Sequence, residues 1–409
     1  MIVGSRAKAA NWRVYSLLSL VGIVAVTVFA AVTRLSVLTA IPIGFLFGFF
    51  LQKGDLCGSS AFSETIMMRD PRKMIGLWIL IVVAMIGFAA LDLLGWVKLN
   101  PKPFFYLSYI VGGIIFGVGM VLAGGCISGC LYKGAAGNLN SIVALLGIPV
   151  GVMMVEFGPL KAFSVGMNKY VVNMADSGPV SLFALTGWPF WLLALLFAAA
   201  TLVVAVVLRK RKASGDHIPT DSKPWLERAM TRSWKPWVAG VAIGLLMVPA
   251  YLSSAASGRN YPLGVTHGVM QAGLLLVDNG FAYVYTSGPS PTAKPAEASN
   301  PAATPKPGGK KVVWWLVAVS LSLMVGSWVS ARMSGQAKLL PKPPDEVLVA
   351  VLGGLLVGIG AGFAAGCVVG NIMSGWALMS VGMILFGVVT VLANWATTYF
   401  YMMGGQSGR

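Results

Sequence analysis

The sequence predicts an all-α, polytopic membrane protein of two pseudo-repeated halves whose broken or re-entrant helices meet centrally, and three observations carry that prediction. Charged residues are only 11% of the chain and hydrophobic residues 57%, where a soluble domain carries about 25% charged residues. Apolar stretches long enough to cross a bilayer, about 20 residues each, recur from end to end. A glycine-framed segment, GGIIFGVGMVLAGGCISG at 112–129, returns without a gap as GGLLVGIGAGFAAGCVVG at 353–370. In that register Gly112, Gly113, Gly117, Gly119, Gly125, Cys126 and Gly129 fall on Gly353, Gly354, Gly358, Gly360, Gly366, Cys367 and Gly370.

The first apolar run, 16–33, follows Arg6, Lys8 and Arg13 and is succeeded at once by a second at 35–52, with no small-residue cleavage site. An uncleaved multi-pass chain is the expectation. Further runs at 74–94, 105–125, 141–158, 189–208, 237–252, 263–285, 312–331, 347–366 and 376–401 bring the expected spans to nine to eleven, several of them short or Gly-broken. A net charge of +17 would suggest nucleic acid in a soluble protein, but here the basic residues gather in short loops beside spans, at Arg69, Arg72 and Lys73 and through 209–236. Such loops are retained in the cytoplasm. The charge therefore orients the chain in its lipid bilayer, with no nucleic acid partner expected.

The basic loop divides the chain. Residues 1–208 form a first membrane half with Cys57 and Cys126, 209–236 a basic cytoplasmic connector, and 237–409 a second half with Cys367. Within the second half, 286–311 is rich in Pro, Ala and Ser and reads as an extended or disordered loop. A weaker repeat lays 44–62 on 240–258, so that Gly44 meets Gly240, Gly48 meets Gly244 and Cys57 meets Ser253. Four inward tips are then expected near Cys57, Cys126, Ser253 and Cys367, and the pattern leaves open whether the halves are parallel or inverted.

Glycines four apart, Gly113 with Gly117 and Gly354 with Gly358, let helices approach closely. Gly124, Gly125 and Gly366 before the cysteines allow the backbone to leave helix geometry, which is tolerated at membrane depth only where it is buried in protein or lines a cavity. A helix restarting after each turn points its N-terminal amides, a partial positive charge, at an anion. Cysteine adds a weak donor and a polarizable sulfur without a fixed charge. The four cysteines include no C-x-x-C pair, and the histidines are His217 and His267. No metal site and no cofactor are expected. Cys130 stands opposite Asn371 in the repeat and reads as packing. Arg259 offers a guanidinium fork to an oxyanion, and Lys133 marks either a vestibule or a boundary. Glu156, Asp92 and Asp278 are carboxylates in or beside apolar runs, and Trp314, Trp315, Tyr399 and Tyr401 read as interfacial anchors.

The segments GFLFGFFLQKGDLC, VLAGGCISG, SGRNYPLGVT and GFAAGCVVGN together resemble the YeeE/YedE sulfur-transport family of bacterial inner-membrane proteins, over most of the chain. The resemblance implies an hourglass-shaped, non-enzymatic permease that takes up thiosulfate, passing the ion along Cys57, Cys126 and Cys367 by S–H hydrogen bonds. It also implies a small cytosolic sulfur carrier of the TusA type as partner. The substrate-binding set expected is Cys57, Cys126, Cys367, Gly125, Gly366 and Arg259. The sequence departs from the family pattern at Asp55, where relatives commonly carry an aromatic or basic residue, at Ala365 in place of a second glycine, and at Pro262 in place of a glycine. The alternatives are a membrane-bound sulfurtransferase or redox component holding sulfane sulfur covalently, and a channel for another small anion or a selenium compound. Covalent work needs a thiolate beside a base or cation. Cys126 and Cys367 have no His, Lys or Arg within several residues, which favours neutral thiols.

Overall fold

The computed structural model describes residues 12–174, 178–211, 225–277, 281–284, 310–339 and 343–403. Most of the 286–311 loop, much of the basic connector, His217 and Asp278 lie outside them. The helices run in order α1 (Trp12–Thr33), α2 (Ala40–Gly54), α3 (Gly58–Met67), α4 (Arg72–Leu93), α5 (Tyr106–Leu122), α6 (Ile127–Ala135) and α7 (Leu139–Glu156). They continue with α8 (Lys161–Asn168), α9 (Leu182–Thr186), α10 (Phe190–Arg211), α11 (Trp225–Thr231), α12 (Pro236–Ala256) and α13 (Thr266–Val277). The last are α14 (Trp314–Met333), α15 (Pro344–Phe363), a π-helical turn (Val368–Met373), α16 (Ser374–Ala377), α17 (Val381–Thr398) and a second π-helical turn (Tyr399–Met403). A short parallel pair, β1 (Phe281–Val284) on β2 (Lys310–Val313), interrupts this all-helical plan.

Among the described residues, ten segments are long and apolar enough to cross a membrane. The run at 263–285 is not among them: α13 is 12 residues long, about 18 Å at 1.5 Å per residue, which falls short of the hydrocarbon core. Three of the ten are broken helices, Ser36–Met67, Tyr106–Ala135 and Pro344–Ala377, each interrupted just before a cysteine. In each break the second residue before the cysteine holds a left-handed backbone: Asp55 at φ +46°, Gly124 at φ +67° and Ala365 at φ +48°. Gly124 does what the sequence assigns to it. In the second copy the strained position is Ala365, while Gly366 is reserved by packing, since a side chain there would overlap the Asn371 amide.

The fourth break is displaced from its expected place. Ser253 lies inside α12, which runs unbroken to Ala256, and the Ser253 hydroxyl accepts from Trp315 Nε1 at 2.8 Å. The chain turns instead through 257–265, and α13 restarts at Thr266.

Glycine contacts fix the packing. α5 and α15 lie antiparallel with backbones touching: a Cβ on Gly112 would meet Ala364 N at 2.9 Å, one on Gly119 Val357 N at 2.6 Å, and one on Gly353 Leu122 C at 2.6 Å. The neighbouring glycines face flanking helices. Gly117 would meet Thr390 O of α17 at 2.7 Å, and its repeat mate Gly358 would meet Gly151 Cα of α7 at 3.0 Å. α2 packs on α14, where Ser327 donates to Gly48 O at 3.0 Å, and α4 packs on α12, where Gly76 would meet Pro236 O at 2.8 Å. α2 ends near the connector, Trp234 N donating to Lys53 O at 2.7 Å. We call that the connector end.

Candidate functional site

Cys57, Cys126 and Cys367 are all buried, at 0 to 1% exposure, and all carry free thiols. Each is the extended residue just before a restarting helical element: Cys57 before α3, Cys126 before α6, Cys367 before the π-helical turn. The elements meet. A Cβ on Gly129 would overlap the Cys57 sulfur and lie 3.5 Å from the Cys126 sulfur, and one on Gly58 would meet the Val368 side chain at 2.8 Å. Only the bare glycine at 129 leaves room for both sulfurs. Its repeat mate Gly370 would place a Cβ in open space. The Cys126 sulfur also lies 3.4 Å from the Ser128 hydroxyl.

Cys130 fastens the break beside Cys126, its thiol donating to Gly125 O at 3.6 Å. Asn371, in the same repeat position, donates to Ala364 O at 3.0 Å. The two residues share a task although their chemistry differs, which supports packing rather than passage for Cys130. Gly125 lies close against that turn, its Cβ position 3.2 Å from Cys130 N.

At the end away from the connector a cavity of about 20 Å³ opens beside Cys367, walled by Lys102, Arg259, Tyr261, Thr266, His267 and Gly366 among others. That volume holds roughly one water, so this conformation is too narrow for a larger oxyanion. Lys102 Nζ donates to Ala365 O at 2.6 Å and Asn371 Oδ1 at 2.9 Å, and stands over the Tyr261 ring at 5.1 Å. Arg259 Nη1 donates to Pro262 O at 2.6 Å, Tyr261 O at 3.2 Å and Ser254 Oγ at 3.3 Å, so part of the guanidinium shapes its own loop. Its plane lies near the Tyr261 and Trp315 rings, at 5.4 and 5.5 Å. Trp315 is thereby fully buried rather than an interfacial anchor. Tyr261 in turn donates to Gly370 O at 2.6 Å.

Neither cation has a carboxylate partner among the described residues. Burial, with Arg259 adding to it, pushes the Lys102 ammonium down to about 7, and burial brings Arg259 to about 10. The Tyr261 hydroxyl is pushed well up, chiefly by burial. The Thr266 hydroxyl, buried on the same wall at the start of α13, has no hydrogen-bond partner. Glu156, one of the intramembrane carboxylates, pairs with His267 Nε2 at 2.9 Å, and Asp92 is exposed. Lys102 was invisible to sequence reasoning because it reaches Cys367 from a loop some 265 positions away. Lys102 on the break before Cys367, and Lys133 near Cys57, supply cations that the neighbouring sequence of Cys126 and Cys367 lacks.

The larger hollows, of about 480 and 570 Å³, are apolar grooves between α4 and α10 and between α1, α2 and α14. Their linings suit acyl chains and offer nothing to an anion. Among the described residues no group of His, Cys, Asp and Glu could hold a metal ion.

The profile of the sulphur transport family matches residues 53–396. The chain is 29% identical over 374 residues to the thiosulfate transporter TsuA of Spirochaeta thermophila, covering 88% of this chain and 98% of that one. It is 28% identical over 363 residues to TsuA of Escherichia coli K12, covering 88% and 94%. A shorter match, 30% over 115 residues and 27% of each chain, is to the probable transporter YedE of E. coli K12.

Proposed function

Since the chain belongs to the sulphur transport family, we propose that it is an inner-membrane permease for thiosulfate. The reading rests on three buried thiols at three helix starts, two of them meeting at Gly129, with Lys102 on the break before Cys367 and Lys133 near Cys57, and on TsuA relatives matched over nearly their whole length. Thiosulfate is a dianion with a soft terminal sulfur. Lys102, Arg259 and the unpartnered Thr266 hydroxyl receive it at the outer cavity, Cys367 takes it by S–H donation, and Cys126 and Cys57 pass it on across the bare surface of Gly129. No sulfur–sulfur bond forms. Gly125 and Gly366 serve by leaving space, and a TusA-type carrier collects the ion at the connector end, which the basic loops assign to the cytoplasm.

The two halves act as inverted repeats meeting in an hourglass. Three features support this: the antiparallel α5 and α15, the exchange of α17 for α7 as partner of Gly117 and Gly358, and the equivalent work of Cys130 and Asn371. The division at 209–236 follows. The test is uptake of labelled thiosulfate by proteoliposomes containing the purified chain; absence of saturable uptake rejects the proposal. A second reading draws on Lys102 and Lys133 beside the thiols: a thiolate that holds sulfane sulfur covalently. Intact-protein mass after incubation with thiosulfate separates the two, since attack of the thiolate on the terminal sulfur breaks the S–S bond of the ion, releases sulfite and leaves the mass of one sulfur atom on the chain as a persulfide.

A further inference from the structure

Asp55, which the resemblance set apart, is not neutralised by its neighbour Lys53. Lys53 Nζ donates to Met230 O at 2.5 Å and stands over the Phe49 ring at 5.6 Å. Asp55 turns instead toward Tyr132 of α6 and Lys73 of α4. Its Oδ1 accepts from the Tyr132 hydroxyl at 2.7 Å, and its Oδ2 pairs with Lys73 Nζ at 2.5 Å. Lys73 also pairs with Glu64 at 2.6 Å. Lys133, which donates to Gly124 O at 3.0 Å, lies close to both Asp55 and Cys57. Tyr132 is 2% exposed whereas the Asp55 side chain is 54% exposed. The donors are held inside, and the acceptor sits at the solvent edge.

We propose that Lys73, Tyr132 and Lys133 form a second binding station for the transported oxyanion, one step past Cys57, and that Asp55 occupies it here as a tethered stand-in. This rests on the reading of the chain as a thiosulfate permease. A carboxylate and a thiosulfate oxygen ask for the same donors, so a site built for one accepts the other. Two ammoniums, Lys73 and Lys133, face two carboxylates, Asp55 and Glu64, and the resting station is neutral. A dianion in place of Asp55 leaves it one negative charge in excess. Returning Asp55 then competes for the same donors at the millimolar effective concentration of a short tether. The ion is held weakly enough to leave, as conduction through several sites requires.

The test is calorimetric binding of thiosulfate to the full chain in detergent, alongside uptake in proteoliposomes. Asn tolerates the left-handed backbone that Asp55 holds, so Asp55→Asn keeps the break, and Asp55→Ser is the second variant. The expected result in either is a second equivalent of bound thiosulfate, or at least tenfold tighter binding, with slower turnover; adding Lys73→Gln or Tyr132→Phe removes the gain. Parent-like stoichiometry and affinity in the folded variants overturn the station, as does a gain that survives Lys73→Gln. If the parent itself takes up no thiosulfate, the permease reading has failed; if it does and the Asp55 variants bind as it does, only the station has.

Discussion

On the permease reading, Lys102 should make the affinity for thiosulfate depend on pH, and the direction follows from its surroundings. Desolvation holds its ammonium at about 7, against an ordinary 10.4 or so. The charge is therefore present below pH 7 and is lost as pH rises through it. About nine tenths of the chains carry it at pH 6 and roughly one in a hundred at pH 9, each pH unit above 7 costing about 1.36 kcal/mol for a ligand that needs the charged form. A charge-assisted hydrogen bond contributes about 1.5–3 kcal/mol, which caps the effect. KM for uptake is accordingly expected to rise between pH 6 and pH 9 by roughly 10- to 100-fold. Arg259, at about 10, keeps its charge throughout, and thiosulfate remains a dianion. Lys102→Gln, whose amide still donates toward Ala365 O and Asn371, should show a high and nearly flat KM. The assay is initial-rate uptake in proteoliposomes at fixed internal pH, with His267→Gln run in parallel because its imidazole shares the cavity wall. A flat profile in the parent, or a rise of the same size in Lys102→Gln, refutes the argument.

Replacing Cys57, Cys126 or Cys367 by Ala should each cut labelled thiosulfate uptake at least tenfold at matched membrane expression, while Cys130→Ala, which loses a weak bond to Gly125 O, costs stability of about 1 kcal/mol and little uptake. Gly117→Leu and Gly358→Leu drive a side chain into backbone within 3.0 Å of the Cβ position, and the monodisperse yield in detergent should collapse, whereas Val21→Leu on the exposed face of α1 leaves it unchanged. Ala365→Gly relieves a left-handed alanine at φ +48°, so the melting temperature should rise by the equivalent of about 0.5–1 kcal/mol.

Spans and the breaks before the cysteines were legible because each leaves a periodic or local trace: an apolar run, a glycine frame, a repeat without a gap. Even the antiparallel contact of α5 and α15 is latent in the glycines, since two helices that share one frame of small residues can lie against each other. The sequence could not place the fourth turn, because the weak register matched glycines of α12 while the turn itself lies in a longer loop with no counterpart in the first half. Lys102 and Thr266 were missed for a related reason. A buried cation and an orphaned hydroxyl are recognised by what surrounds them, and those surroundings come from four separate segments. Asp55 stood out as an anomaly in the sequence, and half of its explanation is local: aspartate tolerates the left-handed backbone that starts each break. The other half, Lys73 and Tyr132, is tertiary.

The cysteines occupy positions where a soluble protein would place Ser, Thr, Asn or Asp, whose oxygen accepts from the free amides of the first helical turn. None of Cys57, Cys126 and Cys367 makes such a cap bond, and sulfur is a poor acceptor. On the permease reading, the first-turn amides at the start of α6, which no cysteine cap engages, are available to the ion. An oxyanion fits, since helix starts favour negative charge, and the thiol beside them supplies a soft donor to its terminal sulfur. Function and stability should then pull in opposite directions at these sites. Cys126→Ser brings an oxygen that can cap α6 itself, which should stabilise the protein by about 0.5–2 kcal/mol while lowering thiosulfate uptake, because the serine both occupies the amides and loses the polarizable sulfur. Melting temperature and uptake measured on the same preparation decide it. A serine variant that transports as the parent does, or one that melts lower, would mean that the amides above Cys126 are not held in reserve for the ion.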